Sequence, residues 1–239
     1  MKNIVITILA SFVFAVQTES ISYNTNVFPN SPYGVDVSHY QGKITWSEVR
    51  QEIDFVFIKA TEGESSVDPY FSYNWSQAKR HGIFHSAYHF FYGDVSGIKQ
   101  AKHFLNIVKY NKSHDSFPLI VDVEKTSDIY RTNKTQYVRN LRAFLHIVHK
   151  ETGRLPIIYT SNNFWRTFLK GTHGFSEYAL WIASYNNIHS SPKIPHIWKT
   201  WVFWQFSNKA SVPGIKSQID LNIFNGDDHR LYHFFGYIQ

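Results

Sequence analysis

Four carboxylic acids end or interrupt apolar, strand-like runs in this sequence: Asp36 in GVDVSHYQG, Asp122 and Glu124 in PLIVDVEK, and Asp220 in QIDLNIFNG. Side chains alternate along a strand, so Asp122 and Glu124 share a face, with Cα atoms roughly 6.6 Å apart from two ~3.3 Å rises. Two carboxyls that close in apolar surroundings repel, which raises a pKa and leaves one protonated near neutral pH. General-acid catalysis needs that protonated form. Cleavage of a glycosidic bond uses such a pair: one acid protonates the leaving oxygen, and a second group attacks, activates water or steadies a positively charged transition state. A lone Asp-x-Glu at a strand end ordinarily reads as a helix N-cap followed by a first-turn acid. Four acids spread over three strands favour the chemical reading.

The elements that must position these acids alternate in type. Residues 34–38, 54–60, 83–91, 118–123, 155–160 and 179–184 are short, apolar and rich in β-branched or aromatic residues, as strands are. Helical spacing recurs between them. Asp68-Pro69 supplies an N-cap and a first-position proline to a helix carrying Phe71, Trp75 and Ala78 and ending at Gly82. Ile98, Ala101, Phe104, Leu105 and Val108 mark a second helix, and Tyr137 to Val148 a third, closed by Gly153. This βαβ repetition predicts a parallel sheet covered by helices, and a repeat carried so far favours a closed barrel. After Ser184 the helical signal fades, leaving strand-like runs at 200–206 and 218–223 with no room for good helices. Nothing divides residues 33–239, which read as one α/β catalytic domain without an appended binding module.

Composition narrows the class. Zero cysteines exclude a thiol nucleophile, a cysteine-bound metal centre and disulfides. Charged residues at 18% and hydrophobic residues at 43% indicate a globular domain. Aromatics at 18% suit stacking on sugars or bases as well as core packing. The net charge of +6 suits an anionic partner, although Lys and Arg are scattered rather than set in one stripe, which argues against nucleic acid. Lys2, the apolar run Ile4–Val16 and the polar residues 17–20 have the layout of an export signal cleaved after Ser20, followed by a leader at 21–32. The run is shorter than the ~20 residues of a membrane span. Its removal takes away Lys2 and Glu19, leaving 23 basic and 17 acidic residues, so the mature charge stays at +6. A secreted protein, extracellular or periplasmic, monomeric and without stable membrane association, is expected. His81, His85 and His89 are spaced by four, but Gly82 breaks any helix that would align them, so neither a metal nor another cofactor is expected. Asn74, Asn111 and Asn133 begin glycosylation sequons. Lys59, inside an apolar strand, needs a partner, either Glu62 or a site acid.

In order along the chain, GVDVSHYQG with Trp46, FVFIKATEG at 55–63, DPYF at 68–71, SAYHFF at 86–91, LIVDVE at 119–124, IIYTS at 157–161, LWIASY at 180–185, FWQFS at 203–207 and IDLNIFNG at 219–226 resemble the family 25 lysozymes of the glycoside hydrolases. The resemblance spans residues 33–226. It implies a single irregular TIM-like (β/α)5(β)3 barrel that hydrolyses the β-1,4 bond between N-acetylmuramic acid and N-acetylglucosamine in peptidoglycan. Carried over by position, Glu124 corresponds to the general acid, Asp122 to its neighbouring carboxylate, and Asp36 and Asp220 to the other two acids. It further suggests retention through the substrate's own acetamido oxygen, with attack by Asp122 or Asp220 as the competing version. Tyr40 stands where many relatives have Trp. Tyr88, Tyr159, Trp181, Tyr185, Trp204 and Gln205 lie at or near strand ends and are candidates for lining a sugar groove, and His89 for bordering it. The alternatives are a chitinase-like glycosidase, disfavoured by Ile120 two positions before Asp122, and a non-catalytic polysaccharide-binding barrel.

Overall fold

Each apolar strand of this chain has two buried faces, and the two faces go to different cores. In the computed structural model, which describes residues 28–113, 115, 117–185 and 190–236, the strands are β1 (Tyr33–Val37), β2 (Phe55–Glu62), β3 (Ser66–Val67), β4 (Phe84–Phe90), β5 (Ile120–Asp122), β6 (Ile157–Ser161), β7 (Ala179–Ala183), β8 (Phe203–Ala210) and β9 (Ile219–Phe224). The helices are α1 (Trp46–Val49), α2 (Phe71–Arg80), α3 (Gly97–Val108), α4 (Lys134–Thr152), α5 (Asn162–Thr167) and α6 (Asp228–Phe234). The expected export signal and most of the leader at 21–32 lie outside the described residues.

Eight strands close into a barrel in the order β1-β2-β4-β5-β6-β7-β8-β9, and β9 returns to β1. The first seven run parallel to their neighbours; β9 is antiparallel to both β8 and β1. The two-residue β3 folds back on β2 outside the barrel. Helices α1 to α5 follow the first five barrel strands, and among the described residues none separates β7, β8 and β9. The architecture is the irregular TIM-like (β/α)5(β)3 order.

Residues of alternate parity fill the barrel: Phe55 and Phe57 on β2, Ile120 on β5, Ile157 and Tyr159 on β6, Trp181 on β7, Phe203 on β8 and Phe224 on β9. Their neighbours Val56, Ile58, Val121, Ile158, Ile182 and Trp204 point outward and pack under the helices. This is the period of two that a pleated strand imposes. At the β1–β2 seam Gly34 is required, because a Cβ there would lie 2.4 Å from the Phe55 ring and 2.5 Å from the Phe55 carbonyl oxygen.

Departures from the sequence reading at two helices, α2 and α6, bear on the shape of the barrel ends. Asp68 does not cap α2, which starts at Phe71; its side chain accepts from the backbone N–H of Tyr70 and from that of His39 instead, tying the start of α2 to the loop after β1. The other is α6, unexpected in a stretch that reads as helix-poor. Asp227 caps it by accepting from the Arg230 N–H at 2.9 Å. It closes the N-terminal end of the barrel: Leu231 and Phe235 are buried, Phe235 stacks on Phe84 at 5.4 Å, and Phe234 meets Phe203 edge-on at 5.4 Å. With that end plugged, the cleft is at the opposite end.

Candidate active site

The C-terminal ends of the parallel strands surround a cleft of about 200 Å³, lined by Asp36, Lys59, Tyr88, Asp122, Glu124, Tyr159, Trp181, Gln205 and Asp220, with Ser38, Tyr40, Gln41 and Phe90 at its edge. All four acids singled out in the sequence therefore face one space. Asp36 is the fourth residue of β1, Asp122 the last of β5, and Glu124 follows two positions on, retaining the parity of Asp122. Asp220 reaches the same end by a different route. It is the second residue of β9, which runs the other way, and so lies directly across from Asp36 in the antiparallel ladder.

Asp36 is held by a built set of donors. Its Oδ2 accepts from Asn222 Nδ2 at 2.7 Å and Gln205 Nε2 at 2.9 Å. The Trp181 indole N–H, which can only donate, gives its proton to Asn222 Oδ1 at 2.7 Å and thereby turns the amide nitrogen toward Asp36. The hydroxyls of Tyr159 and Tyr185 donate to Gln205 Oε1 at 2.8 and 2.7 Å, fixing the second amide in the same sense. Burial pushes Tyr159 and Tyr185 above the usual phenol range, so both remain donors. Burial also raises Asp36, opposed by hydrogen bonds from Asn222, Gln205 and Asp220. Asp220 is pushed up to about 8 by burial, by the Asp36 charge and by the hydrogen bond it gives to Asp36. The Asp36–Asp220 pair thus holds a shared proton near neutral pH.

On the other side of the cleft, burial and the neighbouring Glu124 charge hold Asp122 well above the usual carboxylate range. Its Oδ1 is buried and, among the described residues, has no hydrogen-bond partner. Glu124 is raised by burial and by the Asp36 charge, with Lys59 opposing. Lys59, buried at the cleft wall, resolves its need for a partner through Glu62 at 2.6 Å, and its ammonium lies 4.8 Å from the centre of the Phe90 ring. Burial pushes Glu62 up, but Lys59 and the Tyr92 hydroxyl outweigh it and leave Glu62 below its ordinary value. A fixed cation thus faces a group of acids that cannot all ionise together. Such a site can give a proton to a substrate oxygen and hold negative charge close by.

Of the expected groove residues, Tyr88, Tyr159, Trp181 and Gln205 line the cleft, and Tyr185, half exposed, joins it through Gln205. Trp204 does not. It is fully buried on the outer face of β8, its indole donating to the Ser184 carbonyl at 2.8 Å and its ring packed against Phe28 and Trp201. His89 is likewise turned away from the cleft. It stacks on Phe144 and pairs with Thr61 Oγ1 at 2.7 Å and Gln100 Oε1 at 3.1 Å, and burial holds its pKa down at about 3. His85 faces Trp75 and Phe117, and His81 ends α2, so the three histidines do not converge. The sequence reading missed Asn222, although it shares the parity of Asp220 two positions earlier in the same strand. It also missed Ser38 and Gln41, whose mutual side-chain and backbone hydrogen bonds set the turn that carries the 76% exposed Tyr40 to the cleft rim. Of the sequon asparagines, Asn74 is fully buried within α2, while Asn111 and Asn133 are exposed.

Known proteins resemble this chain over most of its length. Residues 35–215 match the family model for glycosyl hydrolases family 25. Lysozyme M1 of Streptomyces globisporus is 34% identical over 205 residues, covering 83% of this chain and 69% of that protein. The crystal structure of the bacterial lysozyme from Streptomyces coelicolor superposes with a TM-score of 0.79 at 32% identity, covering 85% of this chain and 96% of that one. A family GH25 lysozyme from Aspergillus fumigatus gives 0.76 at 30% identity, covering 86% and 99%. With its barrel order and its four acids on one cleft, this chain belongs to glycosyl hydrolases family 25 and is a glycoside hydrolase.

Proposed function

We propose that this glycoside hydrolase is a lysozyme that cleaves the β-1,4 bond between N-acetylmuramic acid and N-acetylglucosamine in peptidoglycan, with Glu124 as general acid and then base. The observation that carries the reading is the pairing of Asp122 and Glu124 on one wall of the cleft, both raised by burial, with Asp122 Oδ1 buried and, among the described residues, unpartnered. A buried acceptor without a donor is costly unless something fills it. The amide N–H of a substrate 2-acetamido group supplies the missing donor. Held there, the acetamido oxygen attacks C1 as Glu124 passes its proton to the glycosidic oxygen, and the C1–O bond breaks to give a cyclic oxazolinium. Glu124, now a carboxylate, takes a proton from water as that water opens the ring, so the configuration at C1 is retained. Asp36, held by three donors, and Lys59 set the field in which this proton moves.

Tyr40, Tyr88, Tyr159, Trp181 and Tyr185 supply flat surfaces and hydroxyls for the sugar rings. Peptidoglycan strands are the partner, and residues 1–20 export the enzyme to where that polymer lies, as a monomer. Purified peptidoglycan should be solubilised with new reducing ends on N-acetylmuramic acid. Glu124→Gln keeps the shape but removes the proton donor and should lower turnover by about 10²–10⁴-fold with the fold intact, and Asp122→Asn should also be severe. Reducing ends on N-acetylglucosamine would indicate a different bond specificity. Near wild-type turnover by Glu124→Gln at matched thermal stability would remove it as the acid.

A further inference from the structure

We infer that His229 and His233 form a transition-metal site at the closed end of the barrel, taking one divalent ion of the nickel, copper or zinc class. The two residues are four apart on α6, so their side chains project from successive turns of one helix face. Both are exposed, and their Nε2 atoms lie 3.1 Å apart. That spacing suits a chelate. Two imidazole nitrogens bound at about 2.05 Å and separated by 3.1 Å subtend about 98° at the ion, between the tetrahedral and the square or octahedral angles. The pair also faces open space, a cleft between α6 and the segment Thr200–Val202 that leaves room for water ligands.

Among the described residues no third histidine, cysteine or carboxylate joins the pair, so water completes the coordination and the site is an exchangeable one. Neutral imidazole favours copper, nickel and zinc over magnesium and calcium, with copper bound most tightly and nickel next in the usual order. The ion would bridge one turn of a helix only seven residues long. The opposite face of that helix carries Leu231, buried in the barrel plug beside Phe235. A clip across His229 and His233 therefore pins the plug from outside, at the end of the barrel away from the acids.

Untagged protein would be titrated with nickel, copper and zinc chlorides in a non-chelating buffer, by calorimetry and by thermal unfolding, with magnesium chloride as control. At a metal concentration tenfold above the dissociation constant, Tm should rise by about 3–6 °C. His229→Ala, His233→Ala and the shape-preserving His229→Gln should each abolish that rise and one ion's worth of binding, with little change in the metal-free Tm. The other histidines give the same background in wild type and variants. An unchanged nickel response in any of these variants, or an equal response to magnesium, would overturn the assignment. So would a loss of metal-free Tm in the variants with no metal response in wild type, which would make the pair a structural hydrogen bond.

Discussion

Asp36 and Asp220 have the same side chain and lie opposite each other in one ladder, but they meet different partners. Asp36 Oδ2 receives two amide N–H groups, whereas Asp220 is raised by burial and then by Asp36 itself. This has a consequence for stability. Unfolded, Asp220 ionises near 4; folded, it holds its proton to about 8. Between those values the native state binds one proton more than the unfolded state, so this group's contribution to stability falls as pH rises and levels off above about 8. Asn at position 220 can donate to Asp36 as the protonated acid does and cannot ionise. Asp220→Asn should therefore flatten the decline in stability between about pH 5 and 8 and leave the variant as stable as wild type, or more so, at pH 8.5. Denaturant midpoints across that range would check it, and a wild-type slope retained in the variant would show that Asp220 is ionised throughout. Asp36→Asn should behave differently, because it removes the neighbouring charge that helps to raise Asp220.

At the scale of elements, much of the barrel was legible because its signal is local. Strands apolar on both faces alternate with helices whose stops are written in the sequence, as at Gly153, where φ is +74°. The acids were legible too, because a carboxylate at the end of an apolar run is conspicuous. The orientation of β9 was not legible: no local pattern says that it runs antiparallel, and so the opposition of Asp220 to Asp36 emerges only from the closed sheet. Parity was available and carries more than was read from it. Trp204 and Gln205 are adjacent in β8 and cannot both enter the cleft, and the same holds for Tyr88 and His89 in β4. The short α5 and α6 escape notice because six or seven residues give too little period to detect. Close approaches of helices are equally silent in sequence. A Cβ on Gly97, the first residue of α3, would lie 1.8 Å from the Asn140 carbonyl oxygen in α4, and Asn140 in turn donates to the Gly93 carbonyl at 2.8 Å. Gly97→Ala must push the two helices apart and should cost about 1–3 kcal/mol, a typical overpacking penalty. Thermal unfolding reads this directly, and an unchanged Tm would mean that α3 can slide without loss.

The whole molecule carries two opposed electrostatic features. Its chain bears a net +6, with exposed lysines such as Lys43, Lys99, Lys134 and Lys199 spread over the sequence, while its cleft gathers four carboxyls around one lysine. The long-range field is therefore attractive to a polymer bearing carboxylates or phosphates, and the short-range field of the cleft is the one that meets the sugar. These act over different distances. At physiological salt, charges are screened over ~8 Å, so added salt weakens the long-range term while contacts inside the cleft, already shielded from solvent, change little. Binding to intact cell walls should weaken between ~0.02 and 0.5 M salt, chiefly through slower association. Hydrolysis of a short neutral peptidoglycan oligosaccharide should change far less over the same range, because its recognition depends on hydrogen bonds and ring stacking. Sedimentation with walls and turnover of the soluble substrate, measured on the same protein preparation, separate the two effects. If wall binding stayed flat across that range, the basic surface would have no part in targeting and its role would be confined to solubility.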